Sequence, residues 1–176
     1  MTSTVYLGFL DGYAPSWAGR VSEEAARVLS HPVESLDLKI DLPRYYSADR
    51  GQYNATLILA GLLRLNHDPH TKIVGITQVD LFIPVLTFVF GQAQLDGPGA
   101  LVSTHRLHNE YYGLPENEDR LVERTLKEVV HEAGHAFGLV HCPDYSCVMH
   151  AATYVEDVDL KSEQFCSACE SGLQEG

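Results

Sequence analysis

Apolar positions along the first two thirds of the chain switch repeatedly between strand and helix spacing. Residues 4–10 are apolar and β-prone, 15–30 place apolar residues at helical intervals, and 33–42 alternate as a strand does. Residues 53–65 form a strongly apolar helix segment, and 72–81 read as a buried strand. Strands alternating with helices predict an α/β fold, a mainly parallel twisted sheet joined by crossover helices. Two shorter strand segments, 87–94 and 100–107, flank the turn sequence Leu95-Asp96-Gly97-Pro98-Gly99, so a hairpin is expected to add an antiparallel edge strand.

A long helix follows. Asn117 can cap it, Glu118 and Asp119 suit the positive end of its dipole, and Leu121, Val122, Thr125, Leu126, Val129, Val130 and Ala133 form one apolar stripe. The helix should run to about Gly138. Residues 139–176 are too short for a second core, so one domain is expected over 1–176, with residues 1–138 as its larger part and 139–176 as a small C-terminal subdomain.

Composition narrows the function classes. With 45% apolar residues in 176, the chain can fill a core without disulfide staples. Its formal charge of -12, from 24 acidic and 12 basic residues, repels polyphosphate and anionic lipid, so neither nucleic acid nor a membrane is an expected partner. The opening MTSTVYLGFLDGY lacks the positive lead and long apolar run of a secretory signal, and no stretch reaches the roughly 18 apolar residues of a membrane span. A cytoplasmic monomer acting on a peptide or small protein is the expectation.

The long helix carries His131-Glu132-Ala133-Gly134-His135. Histidines four apart lie about 6 Å along the axis on nearly one face, so both imidazoles can reach one ion, and zinc prefers such nitrogens. Glu132 points about 100° away, too far for easy ligation but able to reach a zinc-bound water and take its proton as general base. In the longer pattern HExxHxxGxxH, Gly138 can adopt the left-handed turn that ends the helix, returning His141 toward the same metal as third ligand. HExxH alone is moderately specific; the eleven-residue pattern is far rarer.

All four cysteines, Cys142, Cys147, Cys166 and Cys169, follow that motif. Two pairs with short spacers suit one structural zinc, whereas two disulfides or redox thiols are the competing reading. The other histidines, at 31, 67, 70, 105, 108 and 150, show no dependable ligand spacing. His105 and Arg106 could contact a substrate carboxylate or pair with the many acidic side chains; the second option is preferred.

The zinc motif, followed by Cys142, Cys147-Val148-Met149 and Cys166-Ser167-Ala168-Cys169, resembles the signature of the archaemetzincins, metzincin peptidases that bear cysteines. Gly75-Ile76-Thr77-Gln78-Val79-Asp80-Leu81, Phe88-Val89-Phe90-Gly91 and Val102-Ser103-Thr104-His105-Arg106-Leu107 are similar to that family too, over roughly residues 70–170. The resemblance implies a metzincin-like zincin, with two zinc ions per chain: a catalytic one on His131, His135 and His141, and a structural one on the four cysteines. It implies that Met149 forms the hydrophobic floor of a Met-turn, and that 88–94 is where a bound peptide pairs as an added strand; a plain core edge strand is the other reading of that segment. Ala151 stands where some metzincins carry a tyrosine ligand, and Tyr154 is not given that role.

The expectation is therefore a zinc metallopeptidase with Glu132 as general base, endopeptidase or aminopeptidase being left open. The chief rival is a non-catalytic zinc protein binding peptides in the same cleft. A nucleic-acid zinc ribbon ranks last, because the tail after Gly138 holds a single lysine, Lys161, among several acids.

Overall fold

A computed structural model of the chain describes residues 3–65, 68 and 70–175. In chain order the elements are β1 (Thr4–Phe9), α1 (Ala18–Leu29), β2 (Val33–Ser35), β3 (Tyr46–Ser47), β4 (Gln52–Asn54), α2 (Ala55–Leu63), β5 (Thr71–Thr77), β6 (Leu81–Phe82), β7 (Gly91–Ala93), β8 (Gly99–Ser103), α3 (Glu118–Ala136), α4 (Val155–Leu160) and α5 (Ser167–Glu175). The main sheet runs β2-β1-β5-β8-β7. Its first four strands are parallel and β7 lies antiparallel to β8, so the structure has the mixed α/β architecture expected of the sequence.

The two-residue period of the strands sorts side chains onto two faces. Val5, Leu7, Val74, Ile76, Ala100 and Val102 point toward α1 and α3, whereas Leu10, Ile73 and Leu101 meet Ile58 and Leu62 of α2. The segment after Gly138 adds Val148, Met149, Val155, Val158 and Leu173 to the α1–α3 cluster. No helix among the described residues is long and apolar enough to cross a membrane.

Several segment bounds differ from the sequence expectation. The strand at 33–42 shortens to β2, after which only Leu36 N–H to Leu7 O and an isolated parallel bridge of Leu38 with Leu10 continue the pairing before a 3₁₀ turn over Leu42–Tyr45 that contains Pro43. Residues 53–65 split: Asn54 closes β4, and its side chain accepts from Leu57 N–H at 3.2 Å, capping α2. The buried run 72–81 breaks after Thr77 because Leu81 and Phe82 join a second, three-stranded sheet, β3-β4-β6. Of 87–94, Gly91–Ala93 form β7 against β8, with Phe90 O and Gln94 N–H bonded to β8 at either end, and residues 105–107 form a 3₁₀ turn, not a strand.

Candidate active site

Helix α3 places the first donors. Asn117 Oδ1 accepts from Arg120 N–H at 3.0 Å, and the apolar stripe from Leu121 to Ala133 is buried against the sheet and α1. The helix ends in a Schellman turn: Leu139 N–H donates to Gly134 O and Gly138 N–H to His135 O, both at 2.9 Å, with Gly138 at φ +94°. That reversal brings His141 back, and its ring centroid lies 5.3 Å from His131 and 4.8 Å from His135.

Hydrogen bonds fix which nitrogens face the centre. His131 Nδ1 meets Val148 O at 2.8 Å and His135 Nδ1 meets Leu139 O at 2.7 Å; a carbonyl only accepts, so Nδ1 carries the hydrogen in each ring. Burial, reinforced at His131 by the Lys161 charge, lowers the pKa of both rings, and burial likewise lowers His141. Neutral rings in this tautomer turn two Nε2 lone pairs toward each other at 3.1 Å. Two nitrogens about 2.05 Å from a tetrahedral zinc lie about 3.3 Å apart, so the pair fits that ion.

Glu132 is 6% exposed, and its Cγ lies 2.7 Å from where a Cβ on Gly91 would stand. Burial, then the neighbouring Glu128 carboxylate, push its carboxyl well above the usual range. Met149 is fully buried, its Sδ 2.5 Å from the position of a Cβ on Gly134, so the glycine between the two helix histidines makes room for it. The cleft in front of these groups encloses about 570 Å³, lined by β7, Ile83, residues 86–90, His131, Glu132, His135, His141 and Ala151–Thr153.

The four cysteines form a second cluster, with donor atoms within 4.8 Å of one another. Cys142 Sγ and Cys166 Sγ are 3.8 Å apart, nearly twice a disulfide bond length, and all four thiols are free. Sulfurs about 2.3 Å from a tetrahedral zinc stand about 3.8 Å apart, so this set fits zinc as well. The Cys169 N–H holds the Cys166 thiol down to about 7, while burial pushes Cys147 up.

The polar side of α3 is where sequence reasoning missed most. Arg124, Lys127 and Glu128 are buried under the C-terminal segment. Arg124 forks onto Asp159 at 2.7 and 2.8 Å, and Lys127 Nζ donates to Val158 O and Asp159 O at 3.2 and 3.3 Å. Lys161 Nζ stands 3.0 Å from Glu128 Oε1, a close ion pair rather than an aligned hydrogen bond, and 3.4 Å from His131 Nδ1. Charged residues at i, i+3 and i+4 read as a solvated face, and only their partners' positions say otherwise.

Arg106 takes the preferred option, forking onto Asp80 at 2.7 and 2.8 Å from a 3₁₀ turn. His31, His105, His108 and His150 find local partners instead of joining either cluster. His67 lies outside the described residues.

A parallel sheet backed by a helix bearing two histidines, with a third returned by a left-handed glycine over a buried methionine, is the architecture of a metzincin-like zincin. The profile of peptidase family M54 matches residues 27–175. The archaemetzincin of Methanocaldococcus jannaschii is 46% identical over 138 residues, covering 78% of this chain and 75% of the relative. Among solved structures, a zinc-dependent peptidase from Methanocorpusculum labreanum superposes with a TM-score of 0.88 at 32% identity, covering 96% of this chain and 99% of that one. The archaemetzincin of Methanopyrus kandleri gives 0.84 at 36%, covering 99% and 94%. The chain belongs to peptidase family M54, that of the archaemetzincins. It is a peptidase whose own donor sets, three histidines and four cysteines, suit a catalytic and a structural zinc.

Proposed function

We propose that the chain hydrolyses peptide bonds with a zinc held by His131, His135 and His141 and with Glu132 as general base, while Cys142, Cys147, Cys166 and Cys169 hold a second, structural zinc. The observation that carries this reading is the pair of Nε2 lone pairs 3.1 Å apart, fixed by carbonyl partners, on the wall of the cleft that Glu132 also lines. When bound there, zinc supplies Lewis acidity toward the scissile carbonyl and lowers the pKa of water to about 7.

The chain's residues do the rest. Glu132, within the cleft and backed by Gly91, takes a proton from the attacking water and delivers it to the departing amine. Val148 O and Leu139 O keep the two rings in the donor tautomer. Met149 fills the space beneath them. Strand β7 is the edge of the main sheet and lines the cleft, so a peptide can add to it main chain to main chain.

Glu132→Gln tests the base directly. The variant should keep both zinc ions by elemental analysis, beside a His135→Ala control that loses one, and should lose at least about 10³-fold in kcat. Turnover within tenfold of wild type would sink the assignment of Glu132.

A further inference from the structure

One stretch of the cleft lining is Ile83 and residues 86–90, with the apolar side chains Ile83, Leu86, Phe88 and Phe90 among them. Among the described residues, the ionisable groups lining the cavity are Glu128, Glu132 and the three histidines, none of them in that segment. Leu86 and its neighbour Val85 are 51% and 84% exposed, an arrangement that leaves apolar surface facing solvent.

This wall is held mostly by side chains behind it. Leu86 N–H donates to Ile83 O at 3.1 Å, and Val89 N–H to Leu81 O at 3.0 Å. Gln52 Nε2 then reaches both Thr87 O and Asp80 Oδ2 at 3.0 Å, and Arg50 Nη2 donates to Leu86 O and Thr87 O. Arg106 completes the brace: its fork fills Asp80, and its guanidinium sits 4.1 Å above the Phe88 ring and 4.9 Å from that of Tyr111. With those donors engaged, and Arg106 itself behind the cleft wall, the guanidinium acts on Phe88 rather than on substrate.

We propose that Arg106 is a positioning residue for substrate selection, holding Phe88 and the 83–88 wall in the shape that receives an apolar side chain of the peptide beside the cleaved bond. The inference rests on the peptidase reading above and adds the substrate class. A charged side chain placed against this wall would lose its hydration without a partner, whereas an apolar one exchanges water for contacts with Leu86 and Phe88. A few methylenes in such a pocket discriminate by roughly 10- to 100-fold.

The experiment compares zinc-loaded wild type and Arg106→Gln on a matched fluorogenic peptide series with Leu or Ala at each position flanking the scissile bond. Wild type should prefer Leu at one position by about 10-fold or more in kcat/KM. Arg106→Gln should bring that ratio below about 3, through a higher KM for the Leu peptide, and Arg106→Lys, which keeps the charge over Phe88, should restore part of it. A wild type with no apolar preference, or a variant that slows both peptides alike and keeps the ratio, overturns the inference. If Arg106→Gln does not fold, Phe88→Ala must lose the same preference, and a kept ratio there refutes the wall. Calorimetric binding of the Leu and Ala peptides to Glu132→Gln separates the two readings: tighter Leu binding with no hydrolysis by wild type defeats the peptidase reading alone, and equal binding defeats this one.

Discussion

Gly91→Ala is the sharpest perturbation of the site's geometry that removes none of its reactive groups. A Cβ at this position would stand 2.7 Å from Leu101 O and from Glu132 Cγ, and 2.8 Å from Glu132 Oε1, about 0.7 Å inside ordinary contact. Leu101 O belongs to β8, inside the main sheet, so it cannot give way cheaply; strand β7 must move outward and Glu132 must turn aside. Overpacking of this kind costs about 1–3 kcal/mol, offset by a few tenths from the smaller conformational freedom of alanine in the unfolded chain. For a domain of this size that lowers Tm by roughly 3–10 °C. The larger effect falls on turnover, since displacing a catalytic group by about 1 Å costs on the order of 100-fold. Scanning calorimetry and kcat/KM on one peptide measure the two together, with zinc content as control. A Gly91→Ala enzyme with both zinc ions and a rate within threefold of wild type would show that Glu132 does not act from the position described.

Two further perturbations address the C-terminal segment. Arg124→Met strands the Leu107 carbonyl and leaves Asp159 only the outer ion pair with Arg120, and it should cost about 2–4 kcal/mol in denaturant unfolding. Burial raises the Asp159 carboxyl, but Arg124, helped by Arg120 and Lys127, outweighs it and holds the pKa below the ordinary range. The stabilisation this depressed carboxyl contributes is therefore complete above about pH 4 and is lost as pH falls through its folded value, so the gap between wild type and Arg124→Met should narrow below about pH 4; a gap constant from pH 7 to 2 would contradict it. Cys166→Ser should remove one zinc and, because Cys142 adjoins His141 and its N–H holds Met149 O at 3.0 Å, loosen the other about 10-fold in chelator competition. An unchanged second zinc would show the clusters to be independent.

The sequence by itself determined the α/β class and which histidines converge, because both rest on local rules, whereas the cysteine spacing left one zinc set and two disulfides open until the fold joined the two pairs. Strand and helix periods record which face is buried, an i, i+4 pair on a helix is adjacent wherever the helix lies, and a glycine that can turn left-handed sends His141 back. The hairpin turn at 95–99 was legible for the same reason.

Only the tertiary structure decided what the remaining polar residues do. The run 72–81 reads as one strand, yet Leu81 pairs with Tyr53 in another sheet, because hydrophobic spacing reports burial and not hydrogen-bond partners. Arg124, Lys127 and Glu128 have the spacing of a solvated helix face, and they are buried because Asp159, Lys161 and two carbonyls are folded over them from more than 30 residues away. Arg106 is assigned to Asp80 and Phe88 by the same kind of distant approach. A charge at a given position carries no record of its partner until the fold has brought one within about 3 Å and taken the competing water away.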